Sequence, residues 1–517
     1  MDIFAKQALK EYNDEAFAVR PGGVNGRAFW NINSSQFIYA PSFNFPKIPV
    51  TLQYEFFATD CTGKTYTFTA DMPTASLAPI WKDLSVGIIE LKVEALHRVN
   101  GNRYLAGART FYKAPPFPGR EALPPRACSY KECAIKAYRY AFNDSSNQYW
   151  LEHNKPDPNY YHNVYPSKMI SGIVGVMLTY AKLEPDMADK ALKIALNAAD
   201  YLLSITYGND TAVPGLPPTY SFEGLNKQVV DETAPMADKR KNELMLIYPA
   251  NVGCMYLQLE QVTGDKKYFE AARKIAEYYK ENVQDNGSWY LLVSKDTNKS
   301  DADNYCCTFD ILGFLSAFYK RTKEEIWHTL EINYFNYIKG SRLETFNWEG
   351  QFEDIALTGN YMNLTHFMAG DYISYFCNNF NENSDKLETI KELMRFVEDQ
   401  FVVWGEFAPW VNKSPETVWY SPAGLEQYNW YVPIDSSTAK VISDLLNVYS
   451  ITKDELLLEK AYALGDSITR MQNKETGVIP THWTKKDCSE NIENFWINCH
   501  IYTASVMMRL AKINGEI

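Results

Sequence analysis

Four carboxylic acids stand where they could act as the general acid and the general base of a hydrolysis. Asp303 and Asp435 fall at the first turns of predicted helices, Glu243 precedes another, and Glu426 lies in a loop rich in aromatic residues. Such a reaction needs one protonated and one ionised carboxyl group on either side of the bond. Asp303 and Asp435 could instead cap their helices, and the two glutamates could be solvated loop residues.

Histidine and tyrosine side chains offer a second chemistry. His162 and Tyr165 lie close together in the segment 160–165, which contains four aromatic or imidazole side chains with these two included. Such a pair can remove and return the proton next to a uronate carboxylate, as lyases and epimerases do. Each could also be a structural residue, so both chemistries remain open.

Tryptophans are frequent in the same parts of the chain. The 517 residues include 12 Trp and 36 Tyr. A flat apolar ring with a polar edge suits the apolar face of a sugar, although the same rings also fill protein cores. We predict sugar-binding positions at Trp348, Trp404, Trp410, Trp419, Trp430, Trp483 and Trp496, with His482 beside them.

Composition excludes several classes of partner. The chain has 63 acidic against 51 basic residues and no Lys/Arg-rich stretch, so a nucleic acid is not expected. No apolar run approaches the roughly 18 to 20 residues that span a bilayer. The first twelve residues are polar and lack the apolar core of a signal peptide, but a signal sequence could have been removed, so localisation stays open.

No cofactor or metal site is predicted. The nine cysteines are scattered and odd in number, so they give no disulfide framework, and no zinc-type Cys pair occurs. Asp301, Asp303 and Asn304 offer an oxygen-rich alternative for Ca²⁺, which we do not favour. The sequence has no phosphate-binding glycine loop. Oligomeric state is not indicated.

The elements that must position these residues fall into two regions. Residues 29–113 alternate apolar and polar side chains in four runs, which predicts an antiparallel β-sandwich over residues 1–115. A Pro-rich linker at 116–127 follows. Residues 128–517 change to a helical period, and we expect this region to carry the chemistry.

The helical region repeats itself. Similar segments begin at Leu183, Thr263 and Thr452; in each, an apolar helix ends, a short turn carries an acidic residue, and an amphipathic helix follows. Twelve alternating helices of this kind close into an (α/α)6 toroid. We predict them at roughly 128–145, 167–183, 186–205, 250–263, 266–284, 304–320, 323–339, 366–380, 385–402, 436–451, 453–472 and 494–513.

The connections alternate between short and long. Turns from an inner helix to its outer partner are short, whereas the return loops are long and hold most of the candidate residues. Long loops at one face of a compact domain usually carry function. The long loops are predicted at roughly 146–166, 206–249, 285–303, 340–365, 403–435 and 473–493.

The sequence resembles the six-hairpin glycosidase superfamily. The resemblance covers about three-quarters of the chain and depends on the helix count, the hairpin turn at 263–268, and the helix exits at 284–289 and 472–477. It implies a toroid of the kind used by glycoside hydrolases, some specific for uronic acids, and by epimerases and lyases. The unsaturated-uronyl hydrolases use an inner-helix Asp, for which 301–310 is the nearest segment, but their Trp-Ser-Arg-Gly-like motif is absent.

We therefore predict a glycoside hydrolase that cleaves an oligosaccharide, with uronic-acid oligosaccharides as candidate substrates and a carboxylate pair drawn from Asp303, Asp435, Glu243 and Glu426. The first alternative is a lyase or epimerase that uses His162 and Tyr165. The second is a glycan-binding protein without catalysis.

Overall fold

The computed structural model describes residues 2–13, 30–226, 235–355, 361–380, 384–411, 419–483 and 495–517. The strands are β1 (Gln36–Phe37), β2 (Thr51–Thr59), β3 (Thr65–Ala70), β4 (Gly87–His97), β5 (Arg103–Lys113), β6 (Glu243–Met245), β7 (Leu292–Ser294), β8 (Val402–Val403), β9 (Ala423–Gln427) and β10 (Trp430–Pro433). The α-helices are α1 (Ile3–Tyr12), α2 (Ala78–Trp81), α3 (Tyr130–Asn143), α4 (Ser145–Glu152), α5 (Pro166–Leu183), α6 (Ala188–Ser204), α7 (Pro235–Lys239), α8 (Tyr248–Thr263), α9 (Lys266–Asn282), α10 (Phe309–Thr322), α11 (Glu325–Ile338), α12 (His366–Asn378), α13 (Leu387–Phe401), α14 (Asp435–Thr452), α15 (Glu455–Met471) and α16 (Ile497–Ile513).

The N-terminal strands form a single sheet in the order β1-β5-β4-β2-β3. Strands β2 to β5 pair antiparallel, as their alternating residues predict, and β1 pairs parallel with β5. The predicted β-sandwich is not confirmed, because in the described part of residues 1–115 the named strands make one five-stranded sheet. The boundaries at 115 and 128 remain a prediction.

Buried polar groups join this sheet region to the helices. Asp399, at the end of α13, accepts hydrogen bonds from the backbone N–H groups of Ile38 and Tyr39, each at 2.7 Å. The Gln400 side chain donates to the carbonyl of Gln36 at 3.0 Å. The sheet thus packs against the outer helix α13 through hydrogen bonds that satisfy buried donors.

The body is a double ring of helices. The inner helices α5, α8, α10, α12, α14 and α16 each contact the next, and α16 contacts α5, which closes the ring. Each inner helix also packs against an outer helix, and α16 pairs with α3 from the start of the body. The twelve predicted long helices are therefore confirmed in the described residues, although several boundaries differ. Among those residues, no helix combines the length and hydropathy needed to cross a membrane.

Local chemistry explains the short hairpin turns. Gly264 ends α8 with φ of 72°, a left-handed conformation that glycine adopts without strain. Asp265 then caps α9 by accepting the N–H of Lys267 at 3.0 Å. Lys453 and Asp454 repeat this arrangement between α14 and α15. These caps stop one helix and start the next within a few residues.

Candidate active site

A cavity of about 370 Å³ lies at the mouth of the toroid. Its walls come from five of the six predicted long loops and from the first turns of two inner helices, α5 and α16. We call it the outer cavity. The side chains that bear on its chemistry are Tyr161, His162, Tyr165, Lys168, Asp354, Glu426, Trp430, His482 and Trp496.

A second cavity of about 610 Å³ follows the axis of the toroid, and we call it the inner cavity. All six inner helices, or the residue just before them, contribute to its lining. Lys168, Phe352, Glu426 and Cys499 line both cavities, so the two adjoin at these residues. This junction is the place where a ligand in one cavity could extend into the other.

Two carboxyl groups reach the outer cavity from different elements. Glu426 belongs to β9, whose backbone is held by β10 and by the Thr365 hydroxyl, which donates to the Glu426 carbonyl at 3.0 Å. Asp354 lies in the loop before α12. The buried Arg240 guanidinium donates to the carbonyls of Phe352, Glu353 and Ile355, at 3.4, 3.3 and 2.8 Å, and so fixes the backbone around Asp354.

The two carboxyl groups differ in acidity. Burial, with the Asp354 carboxylate as the second cause, raises the pKa of Glu426 to about 8. Burial and the adjacent Glu353 raise the pKa of Asp354 to about 6. Near neutral pH, Glu426 therefore keeps its proton while Asp354 is mostly ionised. One proton donor and one proton acceptor in the same cavity can carry out acid–base chemistry.

Lys168, the lysine at the junction of the two cavities, is already paired with a carboxylate. Lys168 forms an ion pair with Glu353, whose side chain is completely buried. The Tyr248 hydroxyl donates to the same carboxylate. Glu353 therefore neutralises Lys168 and positions it, whereas the next residue, Asp354, lines the cavity.

His162 and Tyr165 also line the outer cavity, next to Trp496. The centroid of the His162 ring lies 3.6 Å from that of the Trp496 ring. The Tyr165 ring is nearly parallel to the Trp496 ring, with 6.1 Å between their centroids. Burial lowers the pKa of His162 well below its usual value and raises that of Tyr165, so both are neutral. Within the described residues, neither nitrogen of the His162 ring has a hydrogen-bond partner.

His482 and Trp430 form the rim of the outer cavity. Trp430 is 48% exposed, and its indole N–H donates to Nε2 of His482 at 3.2 Å. Burial lowers the pKa of His482 to about 4, so the ring is neutral and accepts this hydrogen bond. Trp430 therefore presents an exposed aromatic surface at the entrance.

Glu426 lines both cavities, but the other three candidate carboxylates, Asp303, Asp435 and Glu243, line neither. Asp435 begins α14 and is completely buried, with a raised pKa and a hydrogen bond from the Thr503 hydroxyl at 3.1 Å. Asp303 is exposed and precedes α10, which begins at Phe309 rather than at 304, so it does not cap that helix. Glu243 lies on β6 and lines a separate, smaller cavity.

The candidate tryptophans divide between core and cavity. Trp348, Trp404 and Trp483 are at most 2% exposed and pack against other aromatic rings, so they have no surface to offer to a sugar. Trp410 donates its indole N–H to Ser35 at 2.9 Å, at the contact with the N-terminal region. Trp419 is partly buried and lines neither cavity. Trp430 and Trp496 line the outer cavity.

Sequence reasoning did not select several residues that the fold brings to the cavities. Asp354 follows Glu353 directly in a loop that also contains Trp348 and Phe352, and nothing in the sequence distinguishes the two acids. Lys168, Asp371 and Lys440 each interrupt an apolar inner helix, and that signal could have marked them. Within the described residues, no group of three or more His, Cys, Asp or Glu side chains is arranged to hold a metal ion.

Comparison with known proteins identifies the fold. No protein-family model matches the chain, and no curated protein matches it. Among solved structures it is similar to a D-mannose isomerase, at TM-score 0.50 and 10% identity over 74% of this chain and 97% of that one. Two others are a family 76 glycoside hydrolase from a bovine Bacteroides thetaiotaomicron strain (TM-score 0.47, 11% identity, 92% and 96% covered) and an unsaturated glucuronyl hydrolase specific for heparin (0.43, 12%, 75% and 96%). The helical body has the six-hairpin, (α/α)6 fold that the sequence predicted.

Proposed function

We propose that this chain is a glycoside hydrolase that cleaves an oligosaccharide with Glu426 as general acid and Asp354 as general base. The observation that carries the proposal is that these two carboxyl groups, on separate elements, line one cavity at the mouth of the toroid. The exposed face of Trp430 at the entrance suits a sugar ring. The D-mannose isomerase with the same fold is named for a sugar, which agrees with a sugar as the ligand.

The proposed reaction uses the protonation states of the two groups. Glu426 donates its proton to the glycosidic oxygen as the bond to the anomeric carbon breaks. Asp354 removes a proton from a water molecule, whose oxygen forms the new bond to that carbon. The products are two shorter sugars, one with a new reducing end, and the proton on Asp354 returns to solvent as Glu426 is reprotonated.

The proposed substrate does not need to contain uronic acid, although the sequence suggested one. A uronate in a buried site needs a cation to balance its charge. Lys168 is the one Lys or Arg side chain among the described residues that lines the outer cavity, and Glu353 already neutralises it. The outer cavity therefore offers a uronate little compensation.

A lyase or epimerase is the second candidate. The supporting observation is that neutral His162, with both ring nitrogens unpartnered in the described residues, lines the same cavity as Tyr165. In a lyase, one of them would remove the proton next to the uronate carboxylate as the C–O bond to the leaving sugar breaks, and the other would protonate the leaving oxygen. The paired state of Lys168 makes this the less favoured reaction.

A substrate screen tests the choice. Neutral and uronic-acid oligosaccharides are incubated with the protein, and both new reducing ends and ultraviolet absorbance of unsaturated uronates are measured. We expect reducing ends without absorbance, loss of that activity in Glu426→Gln, and normal activity in Glu406→Gln, whose carboxylate is exposed and lines neither cavity.

The other outcomes reject the hydrolase or the role of Glu426 in it. Rising absorbance that is lost in His162→Ala but kept in Glu426→Gln would assign the lyase. Binding of an oligosaccharide without any product would leave a glycan-binding protein. Wild-type hydrolysis rates in Glu426→Gln would remove this residue from the mechanism.

A further inference from the structure

The inner cavity is large enough for sugar units and lies directly behind the proposed catalytic pair. Its volume of about 610 Å³ is within the range of about 300 to 1,000 Å³ typical of small-molecule sites. On α8 its lining extends from Tyr248 to Gln258, about 15 Å along the helix axis. On α5, Gly175 lines it, and a Cβ atom there would meet nothing within 4 Å. The inner helices therefore enclose an open space along the axis of the toroid.

The cations of the inner cavity are paired with carboxylates. Lys440 lies 3.0 Å from a carboxylate oxygen of Asp371 and 3.2 Å from one of Asp444, which is completely buried. Lys168, the other Lys or Arg side chain in the described lining, is held by Glu353. Both positive charges are thus balanced before any ligand enters.

One further carboxylate gives the inner cavity an acidic character. Asp310, in the first turn of α10, lines the cavity, and burial together with the nearby Asp371 raises its pKa to about 6. At neutral pH it is mostly ionised, and no salt bridge joins it to a cation in the described residues. Carboxylate oxygens accept hydrogen bonds from sugar hydroxyls, and the amide and hydroxyl side chains of Asn251, Gln258, Asn498 and Ser505 line the same space.

We propose that the inner cavity binds an uncharged, hydroxyl-rich sugar unit, held in part by Asp310 and Asp371, and that it excludes uronate. This proposal rests on the proposed function for the position of the cleaved bond, which would lie at the junction next to Glu426. A uronate would enter among carboxylates with no unpaired cation in the described lining, so it would lose its hydration without compensation. An uncharged sugar loses the hydrogen bonds between its hydroxyl groups and water, but those hydroxyl groups can donate to the carboxylates of Asp310 and Asp371 instead.

Matched sugars test the proposal. The probes are oligosaccharides that contain uronic acid and the same oligosaccharides after chemical reduction of each carboxyl group to a hydroxymethyl group, so that linkage and length are equal. Binding to the inactive Glu426→Gln variant is measured by calorimetry, and hydrolysis by the wild-type protein is measured as reducing ends. We expect the reduced member of a pair to bind about 100-fold more tightly.

Variants locate that binding. Gly175→Phe should fill the inner cavity and abolish binding of the reduced sugar, whereas Gly313→Phe should not, because Gly313 is exposed, has nothing within 4 Å of a Cβ, and lines neither cavity. Asp310→Asn should weaken binding of the reduced sugar about tenfold and narrow the preference between the two sugars. Circular dichroism and thermal unfolding check that each variant folds.

The outcomes separate this proposal from the proposed function. Tighter binding of the uronate member, or equal binding of the reduced sugar by Gly175→Phe, overturns the inner-cavity proposal even if hydrolysis depends on Glu426. Binding of the reduced sugar that requires the inner cavity, without hydrolysis of any probe, upholds the proposal and rejects the hydrolase.

Discussion

The two cavities that meet at Lys168 and Glu426 differ in how their charged groups are arranged. In the outer cavity, Asp354 and Glu426 both have raised pKa values, and the carboxylate of one raises the pKa of the other. In the inner cavity, Lys440 lies between Asp371 and Asp444 within salt-bridge distance of both. The first arrangement places a protonated and an ionised carboxyl group in one cavity, and the second holds a lysine between two carboxyl groups.

This difference separates chemistry from recognition. A protonated acid and an ionised acid in one cavity can donate and accept protons in the same reaction, so Glu426 and Asp354 are candidates for catalysis. A lysine held between two carboxyl groups offers no unpaired positive charge to a ligand, which suits a wall that selects ligands by charge. We therefore assign bond cleavage to the outer cavity and selection to the inner one.

Replacement of Asp354 is the strongest way to break this comparison. Asp354→Asn removes the proton acceptor of the outer cavity and should lower kcat by about 10³-fold, since a positioned base contributes typically 10² to 10⁴-fold. Steady-state kinetics on the substrate found in the screen measure it, with thermal unfolding as the control for folding. A kcat within about twofold of the wild-type value would exclude Asp354 as the base.

Replacement of Lys440 tests the inner cavity as a fixed charge cluster. Lys440→Met removes the one cation that lies within salt-bridge distance of both Asp371 and Asp444 in the described residues, and it should lower the free energy of unfolding by about 3 kcal/mol at pH 8. Urea unfolding measures it. In Lys391→Met, which breaks an exposed pair with Glu388, the change should stay below about 0.5 kcal/mol.

The pH dependence of this loss has a definite sign. Burial raises the pKa of Asp444 in the folded protein to about 7, above its unfolded value, even with Lys440 present. Below that pH the folded protein can protonate Asp444, so the penalty of the missing lysine is smaller at pH 5 than at pH 8. An equal loss at both pH values would contradict the assignment of Asp444 to this cluster.

The pH profile of kcat/KM tests the protonation states of the two acids in the outer cavity. Asp354 must be ionised, so activity should fall below a pKa of about 6, and Glu426 must be protonated, so activity should fall above a pKa of about 8. Each pH unit below the first pKa or above the second should lower kcat/KM about tenfold. A rate that keeps rising to pH 10 would rule out a protonated Glu426 as the acid.

Trp430 should give the smallest effect. Trp430→Ala removes an exposed ring at the entrance and should raise KM about tenfold with little change in kcat, because the ring contacts substrate without touching the reacting atoms. Trp430→Phe keeps an aromatic face and should recover most of the loss. If Ala and Phe behave alike, the ring is not a sugar platform.

Much of the fold could be predicted because it depends on local patterns. The alternation in residues 51–113 predicted β2 to β5, and the repeated apolar helix, short turn and charged helix predicted the double ring. The single sheet was not predicted, since alternation identifies strands but not the number of sheets. Helix α10 begins later than expected because Thr308, not Asp303, stands at its N-cap position.

Less of the candidate site could be predicted. Glu426, His162, Tyr165, Trp430, His482 and Trp496 were selected from the sequence and do line the outer cavity. Asp354 was not separated from Glu353, although one lines the cavity and the other is buried against Lys168 and Tyr248. Adjacent residues in a loop can point in different directions, and no periodicity fixes which one faces the ligand.

The sequence by itself determined where helices and strands form and which loops carry aromatic and acidic residues, because spacing along the chain sets those properties. Only the tertiary structure decided which carboxyl groups share a cavity and which lysines are neutralised. Glu426 and Asp354 are far apart in sequence, and Lys168 meets Glu353 across the ring. Their acidity and pairing depend on burial and distance, which exist only after the helices close into the toroid.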